Sequence, residues 1–60
     1  MDFQLKFNMD NAAFGENTEE ANDEVARILR DVRWKVLACD GEGYVLDVNG
    51  NTIGEWSINE

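Results

Sequence analysis

One short segment carries oxygen-bearing side chains at the spacing of a calcium-binding loop. Asp47, Asn49 and Asn51 match the first, third and fifth ligand positions of an EF-hand loop, in which carboxylate and amide oxygens hold Ca²⁺. The match ends there, because Thr52 stands where the loop requires glycine and Ile58 stands where it requires a bidentate glutamate. The sequence therefore predicts no metal site here and favours a structural turn.

Catalytic chemistry has few candidate residues in this chain of 60 residues. Paired carboxylates could exchange protons with a substrate, but the chain has no histidine to act as a general base and no glycine-rich phosphate loop. The single cysteine, Cys39, has only Lys35 as a nearby cation, which favours a structural thiol over a reactive one. We therefore expect no enzymatic activity and no cofactor.

Acidic side chains dominate the chemistry of the surface. The chain has 13 acids and 5 bases, which gives a formal net charge of −8 at pH 7. The predicted helix holds five of the acids and four of the bases, so the negative charge comes mainly from the rest of the chain. Acids two apart on a strand lie about 6.5–7 Å apart, which is comparable to the spacing of phosphates along DNA. Two interpretations follow: a row of carboxylates that imitates DNA, or a charge that only keeps the protein in solution.

One strand and one helix are predicted in the first two thirds of the chain. Residues 2–9 alternate apolar and polar side chains, which indicates a half-buried strand. Residues 18–38 repeat apolar side chains at the period of a helix. Asn17 and Glu20 have the spacing of a capping box, which predicts the start of that helix.

The last third is predicted to form a hairpin over residues 43–58. Asn49 and Gly50 form the dipeptide most typical of a tight hairpin turn, and Gly54 indicates a bulge or a close backbone approach. Residues 1–60 then form a single domain with the order β-α-β-β and an α+β fold. We expect a three-stranded antiparallel sheet of order 2-3-1 with the helix packed on one face.

The predicted core lies between the helix and one face of the sheet. Its members are Phe3, Leu5, Phe7, Val45 and Trp56 from the sheet, and Val25, Ile28, Leu29, Val32 and Val36 from the helix. Trp34 and Leu37 do not fit this predicted core, because they lie about 180° and about 120° around the helix from its apolar stripe. Either they form an outward contact surface, or they cover a sheet edge or fold beneath the loop.

Three stretches resemble a group of small proteins encoded by bacteriophages and other mobile elements. They are MDNAAF at residues 9–14, EVARILRDV at 24–32 and DVNGNTIGEW at 47–56. The last stretch is the most specific. The resemblance implies a source and a fold more than an activity, because most members have no assigned function. Trp34, Leu37 and Leu46 stand where those relatives are usually polar, which suggests an acquired binding face.

Small acidic phage proteins without catalytic residues are often inhibitors of host defence, and anti-CRISPR proteins are the best-known class. Several of them occupy the basic channel or the PAM-reading surface that a Cas effector offers to target DNA. This chain is similar to that class in size, acidity and lack of catalytic residues. The similarity implies an anti-CRISPR inhibitor that acts as a DNA mimic on a basic surface of a Cas effector or another host DNA-binding protein. Its partner-binding residues would be Glu16, Glu19, Glu20, Glu24, Asp40, Glu42, Asp47, Glu55, Trp34 and Leu37.

The alternative is a small homodimeric or adaptor interaction module of a phage, with no CRISPR target. For either role we expect a monomer or a homodimer. Direct binding of nucleic acid is not expected, because the chain lacks a basic surface. The sequence has neither an apolar run long enough to span a membrane nor the pattern of a signal peptide, so we expect the bacterial cytoplasm.

Overall fold

A computed structural model describes residues 1–38 and 41–60 of the chain and shows one long helix with three strands. The elements are β1 (Asp2–Phe7), a short 3-10 helix (Ala12–Phe14), α1 (Thr18–Ala38), β2 (Glu42–Leu46) and β3 (Thr52–Asn59). The strands form one antiparallel sheet in the order β1-β3-β2, and α1 packs on one face of it. The predicted α+β fold with strand order 2-3-1 is therefore confirmed.

The start of α1 follows the predicted capping pattern. The side-chain oxygen of Asn17 accepts a hydrogen bond from the Glu20 N–H at 2.9 Å, which satisfies one of the free donors in the first turn. The Glu20 carboxylate reaches back to the N–H of Glu16 at 3.0 Å rather than to that of Asn17. The capping box thus forms with a shift of one residue.

Three predicted boundaries differ from the structure. The first strand ends at Phe7 instead of residue 9, because the Asn8 side chain accepts a hydrogen bond from the Asp10 N–H at 2.6 Å and begins a turn. The hairpin begins at Glu42 and ends at Asn59, one residue beyond the predicted range 43–58 at each end. The loop between them spans residues 47–51, which is longer than the two-residue turn typical of Asn-Gly.

Gly54 shows both of the features that its position in β3 predicts. The β2–β3 register shifts between Val45 and Leu46, which marks a bulge opposite them on β3. A Cβ on Gly54 would also collide with the backbone carbonyl of Lys6 and with Phe7 on β1. Only glycine therefore allows β1 and β3 to approach this closely.

Five apolar side chains form the buried core between α1 and the sheet. They are Phe14, Ile28, Val32, Val45 and Trp56. Phe14 enters this core from the 3-10 helix and stacks on Phe7 with ring centroids 6.2 Å apart. Two predicted core residues are wrong, since Phe3 is 52% exposed and Leu29 is 49% exposed. Both lie along the β1 edge of the sheet, where no further described strand covers them.

Candidate partner-binding surface

Asp47 holds the hairpin loop together and does not face solvent. It is 3% exposed, and one carboxylate oxygen accepts the backbone N–H groups of Asn49 and Asn51 at 2.9 Å each. The other oxygen accepts the side-chain amides of Asn51 at 3.1 Å and Asn11 at 2.8 Å. These donors, led by the Asn51 N–H, lower the pKa of Asp47 because they stabilise its charged form. The expectation that Asp47 binds a partner is therefore corrected: its oxygens are already engaged inside the loop.

Glu24 is also turned inward, although it lies in the acidic part of α1. It is 6% exposed, and its carboxylate accepts Arg27 Nε at 2.6 Å and the Val48 N–H at 2.9 Å. The hydrogen bond from Arg27 lowers the pKa of Glu24 most, and the Val48 bond adds to it against the opposing effect of burial. Glu24 therefore leaves the predicted partner-binding set, because its charge is compensated within the fold.

Two basic side chains of α1 connect the helix to β2. Arg27 donates to the backbone oxygen of Leu46 at 2.9 Å, and Lys35 donates to that of Tyr44 at 3.0 Å. Lys35 also pairs with Asp31 at 3.1 Å. Sequence reasoning missed this role. The only available signal was the spacing of eight residues between Arg27 and Lys35, which places them on one side of the helix.

The acids around the start of α1 remain accessible. Glu16, Glu19, Glu20 and Asp23 are all exposed, and none of them forms an ion pair with a described residue. Glu20 combines this exposure with its capping role, because its carboxylate accepts the Glu16 N–H and the Asn17 side-chain amide. Asp23 was not predicted as a site residue, but it lies one helical turn from Glu19. We call residues 16–23 the acidic end.

Glu42 and Glu55 lie on the outer face of the sheet, which points away from α1. Side chains alternate between the two faces along a strand. Val45, three residues after Glu42 on β2, and Trp56, next to Glu55 on β3, are buried on the inner face, so both acids point outward. Lys6 on β1 lies directly opposite Glu55 on β3 and partly compensates its charge. The outer face therefore carries acids together with a base.

Trp34 and Leu37 both point to solvent, which settles the two interpretations of their position in favour of exposure. Trp34 is 60% exposed and Leu37 is 66% exposed. The Arg33 guanidinium lies 4.7 Å from the Trp34 ring centroid, within the range of a cation–π contact. The rise of a helix places Trp34 about 21 Å from Glu20. Trp34 and Leu37 are therefore far from the predicted acids at the start of α1, and the charged group beside Trp34 is the base Arg33.

The predicted site residues thus do not form one continuous surface. The exposed ones fall into three places: Glu16, Glu19 and Glu20 at the acidic end, Glu42 and Glu55 on the outer sheet face, and Trp34 and Leu37 on the second half of α1. Asp40, also predicted, lies outside the described residues, as does Cys39.

No group of three or more acidic or cysteine side chains within residues 1–38 and 41–60 is arranged to hold a metal ion. Over those same two ranges, no helix has the length and apolar character needed to cross a membrane.

Comparison with known proteins returned no match among family models, curated proteins or solved structures.

Proposed function

We propose that this protein is an anti-CRISPR inhibitor of phage origin that occupies a basic, DNA-contacting surface of a Cas effector. It acts in the bacterial cytoplasm by binding alone and needs no catalytic residue. The acidic end, residues 16–23, makes the principal contact with Arg and Lys side chains of the effector. Charge-assisted hydrogen bonds between carboxylates and guanidinium groups supply the contact, and long-range attraction speeds the encounter.

One observation carries this proposal: the exposed acids of the acidic end have no base among them. Four exposed carboxylates lie within eight residues, and the first base that follows is Arg27. Arg27 is already held by Glu24 and by the Leu46 carbonyl, so its charge is compensated inside the fold. The negative field at this end is therefore available to an external basic groove.

The outer sheet face is the weaker of the two acidic surfaces. Lys6 stands opposite Glu55, so an approaching basic groove meets a positive charge beside that acid. Like charges brought together at an interface oppose binding. We therefore place Glu42 and Glu55 at the margin of the contact and the acidic end at its centre.

A competition assay tests this function. A Cas effector loaded with guide RNA is mixed with labelled target DNA, and the protein is expected to reduce the fraction of DNA bound. The variant with Glu16→Lys and Glu19→Lys is expected to lose this effect, because it removes two acids and adds two bases at the acidic end. The matched control, with Glu42→Lys and Glu55→Lys, has the same net charge and is expected to keep most of the inhibition.

The outcome distinguishes this proposal from two alternatives, an effect of net charge alone and a different target protein. Equal loss in both double variants would mean that net charge rather than the acidic end is responsible. Inhibition of restriction or recombination enzymes, with no effect on Cas effectors, would move the target to another basic DNA-handling protein.

The second candidate function is an interaction module, and the exposure of Trp34 and Leu37 favours it. Outward apolar side chains of this size are common at protein contacts. If they join two copies, wild-type protein elutes as a dimer in size-exclusion chromatography and Trp34→Ala elutes as a monomer. An unchanged elution volume for Trp34→Ala would reject a homodimer built on this residue.

A further inference from the structure

The two edge strands of the sheet differ in whether their outward backbone groups are hydrogen-bonded. At the β2 edge, Lys35 donates to the Tyr44 carbonyl at 3.0 Å and Arg27 donates to the Leu46 carbonyl at 2.9 Å. Two helix side chains thus occupy two of the backbone acceptors that another strand would need. The β2 edge is therefore less open to further strand pairing than an edge whose acceptors are free.

The β1 edge has no such cover. The Asn8 N–H donates to the Ile53 carbonyl at 2.9 Å. Because hydrogen-bonded pairs alternate along an antiparallel ladder, Asp2, Gln4 and Lys6 also direct their N–H and C=O groups toward β3. The intervening residues, Phe3, Leu5 and Phe7, direct their N–H and C=O groups to the open side. Among the described residues, no hydrogen bond to these groups is formed from that side.

An apolar groove runs beside this open edge. It has a volume of about 390 Å³ and lies between β1 and α1. Its walls include Phe3 and Leu5 from the strand, and Leu29, Val36 and Leu37 from the helix. Phe3, Leu29 and Leu37 are exposed although they are large and apolar, so the edge combines free backbone groups with uncovered apolar area.

We propose that this edge pairs with the β1 edge of a second copy of the chain. The two strands run antiparallel about a two-fold axis at Gln4, so that Gln4 lies opposite its own copy. This register places Asp2 opposite Lys6 of the other copy, and Phe3 opposite Leu5, each twice. Phe3 and Leu5 are the residues with free backbone groups, so the register also forms hydrogen-bonded pairs.

Charge complementarity selects this register over its neighbours. Asp2 and Lys6 lie on the outer face, where a cross-strand pair of opposite charge is stabilising. A shift by two residues in either direction separates Asp2 from Lys6 of the other copy, and a shift by one residue would oppose free backbone groups to occupied ones. A two-fold contact of this kind is isologous and closed, so it produces a dimer and not a filament.

The dimer joins two sheets of three strands into one sheet of six. Both helices lie on the same side of it, so the two apolar grooves face each other across the axis. None of the residues of the acidic end takes part in the strand pairing. The inference therefore stands apart from the proposed function, because the oligomeric state is measured with no Cas effector present.

Sedimentation velocity over a wide range of protein concentration tests the dimer. Wild type is expected to show a concentration-dependent dimer. Asp2→Lys and Lys6→Asp each place like charges opposite one another twice per dimer and are expected to raise the dissociation constant about tenfold or more. The double variant with both changes exchanges the two charges and is expected to return to within about threefold of wild type.

Two controls keep the result interpretable. Glu42→Lys makes the same charge change as Asp2→Lys but on β2, the opposite edge strand, and it is expected to leave dimerisation unchanged. Circular dichroism checks that each variant folds; if Lys6→Asp fails, because its new carboxylate lies opposite Glu55, Asp2→Lys and the charge-exchanged double variant still decide the question.

Amide hydrogen exchange gives a second readout. The Phe3 and Leu5 N–H groups are expected to exchange more slowly at concentrations where the dimer forms. A monomer at every concentration would overturn the proposal. So would a dimer that ignores both single charge changes and disappears in Trp34→Ala.

Discussion

Glu24 and Asp47 are buried acids that connect elements of the fold. Their residue type alone would have assigned both of them to the charged surface. Glu24 joins α1 to the hairpin through Arg27 and Val48, and Asp47 joins the hairpin loop to Asn11. An inward acid is tolerated only when donors compensate its charge, and both residues have such donors. At this scale, hydrogen-bonding partners and not residue type decide which acids remain available for binding.

The lowered pKa values of these two residues predict that the folded protein loses stability in acid. The pKa of Glu24 is lowered from 4.5, and that of Asp47 from 3.8, so the unfolded chain takes up protons before the folded protein does. Their stabilising contribution is fully present above the unfolded values and is lost as the pH falls through the lower folded values. The free energy of unfolding, measured with urea, is expected to be flat near neutral pH and to fall below about pH 4.5.

Glu24→Gln provides the matched variant for this prediction. It is expected to cost about 1–3 kcal/mol at neutral pH, because Arg27 loses its charged partner in a partly buried position. Glu19→Gln, which removes an exposed acid of the same helix, is expected to change stability by less than about 0.5 kcal/mol. Equal stability of the two variants would contradict an internal role for Glu24.

At the scale of elements, the close approach of β1 and β3 depends on Gly54. Gly54→Ala is expected to destabilise the protein by about 3 kcal/mol, because the added methyl group meets the Lys6 backbone and cannot be relieved by a rotamer change. Gly50 is the control: its φ is +85°, but a Cβ there meets nothing within 4 Å. Gly50→Ala is expected to cost about 1 kcal/mol in thermal or chemical unfolding. The reverse order of these costs would contradict the described pairing of β1 with β3.

The elements themselves could be predicted because their signals are local. Alternation marks β1, and the Asn17 cap with the apolar period of 3.6 marks α1, so both were placed within two residues of their observed bounds. Phe3 and Leu29 could not be assigned, because their exposure depends on which strand forms the edge of the sheet. That property arises only when the whole sheet is assembled.

The candidate site was less predictable than the fold for a similar reason. Exposure of the acids at Glu16 and Glu19 follows from their place before and within the first turn of a helix. The inward turn of Glu24 depends on Val48, which is 24 residues away in sequence. No local pattern contains that contact, so sequence alone could not separate Glu24 from its acidic neighbours.

At the scale of the whole molecule, the net charge of −8 is distributed unevenly. The acidic end carries exposed carboxylates without a base, while Arg30, Arg33 and Lys35 lie on the second half of the same helix. The molecule extends 37 Å along its longest axis and 18 Å along the other two. An elongated molecule with such a separation of charge has a preferred orientation toward a basic groove.

The same separation predicts how binding responds to salt. Attraction between exposed charges is largely screened beyond a Debye length, which is about 8 Å at physiological ionic strength and shortens as salt rises. A contact made by the acidic end therefore weakens as salt rises, whereas a contact made by Trp34 and Leu37 through apolar burial changes little. Salt dependence thus distinguishes the two candidate surfaces without a structure of the complex.

The most direct measurement is the affinity for a guide-loaded Cas effector as a function of salt concentration, for wild type and for the variant with Glu16→Lys and Glu19→Lys. The account predicts a steep loss of wild-type affinity with rising salt, and weak binding by the variant at every concentration. A wild-type affinity that stays constant from low to high salt, or a variant that binds as tightly as wild type, would contradict it.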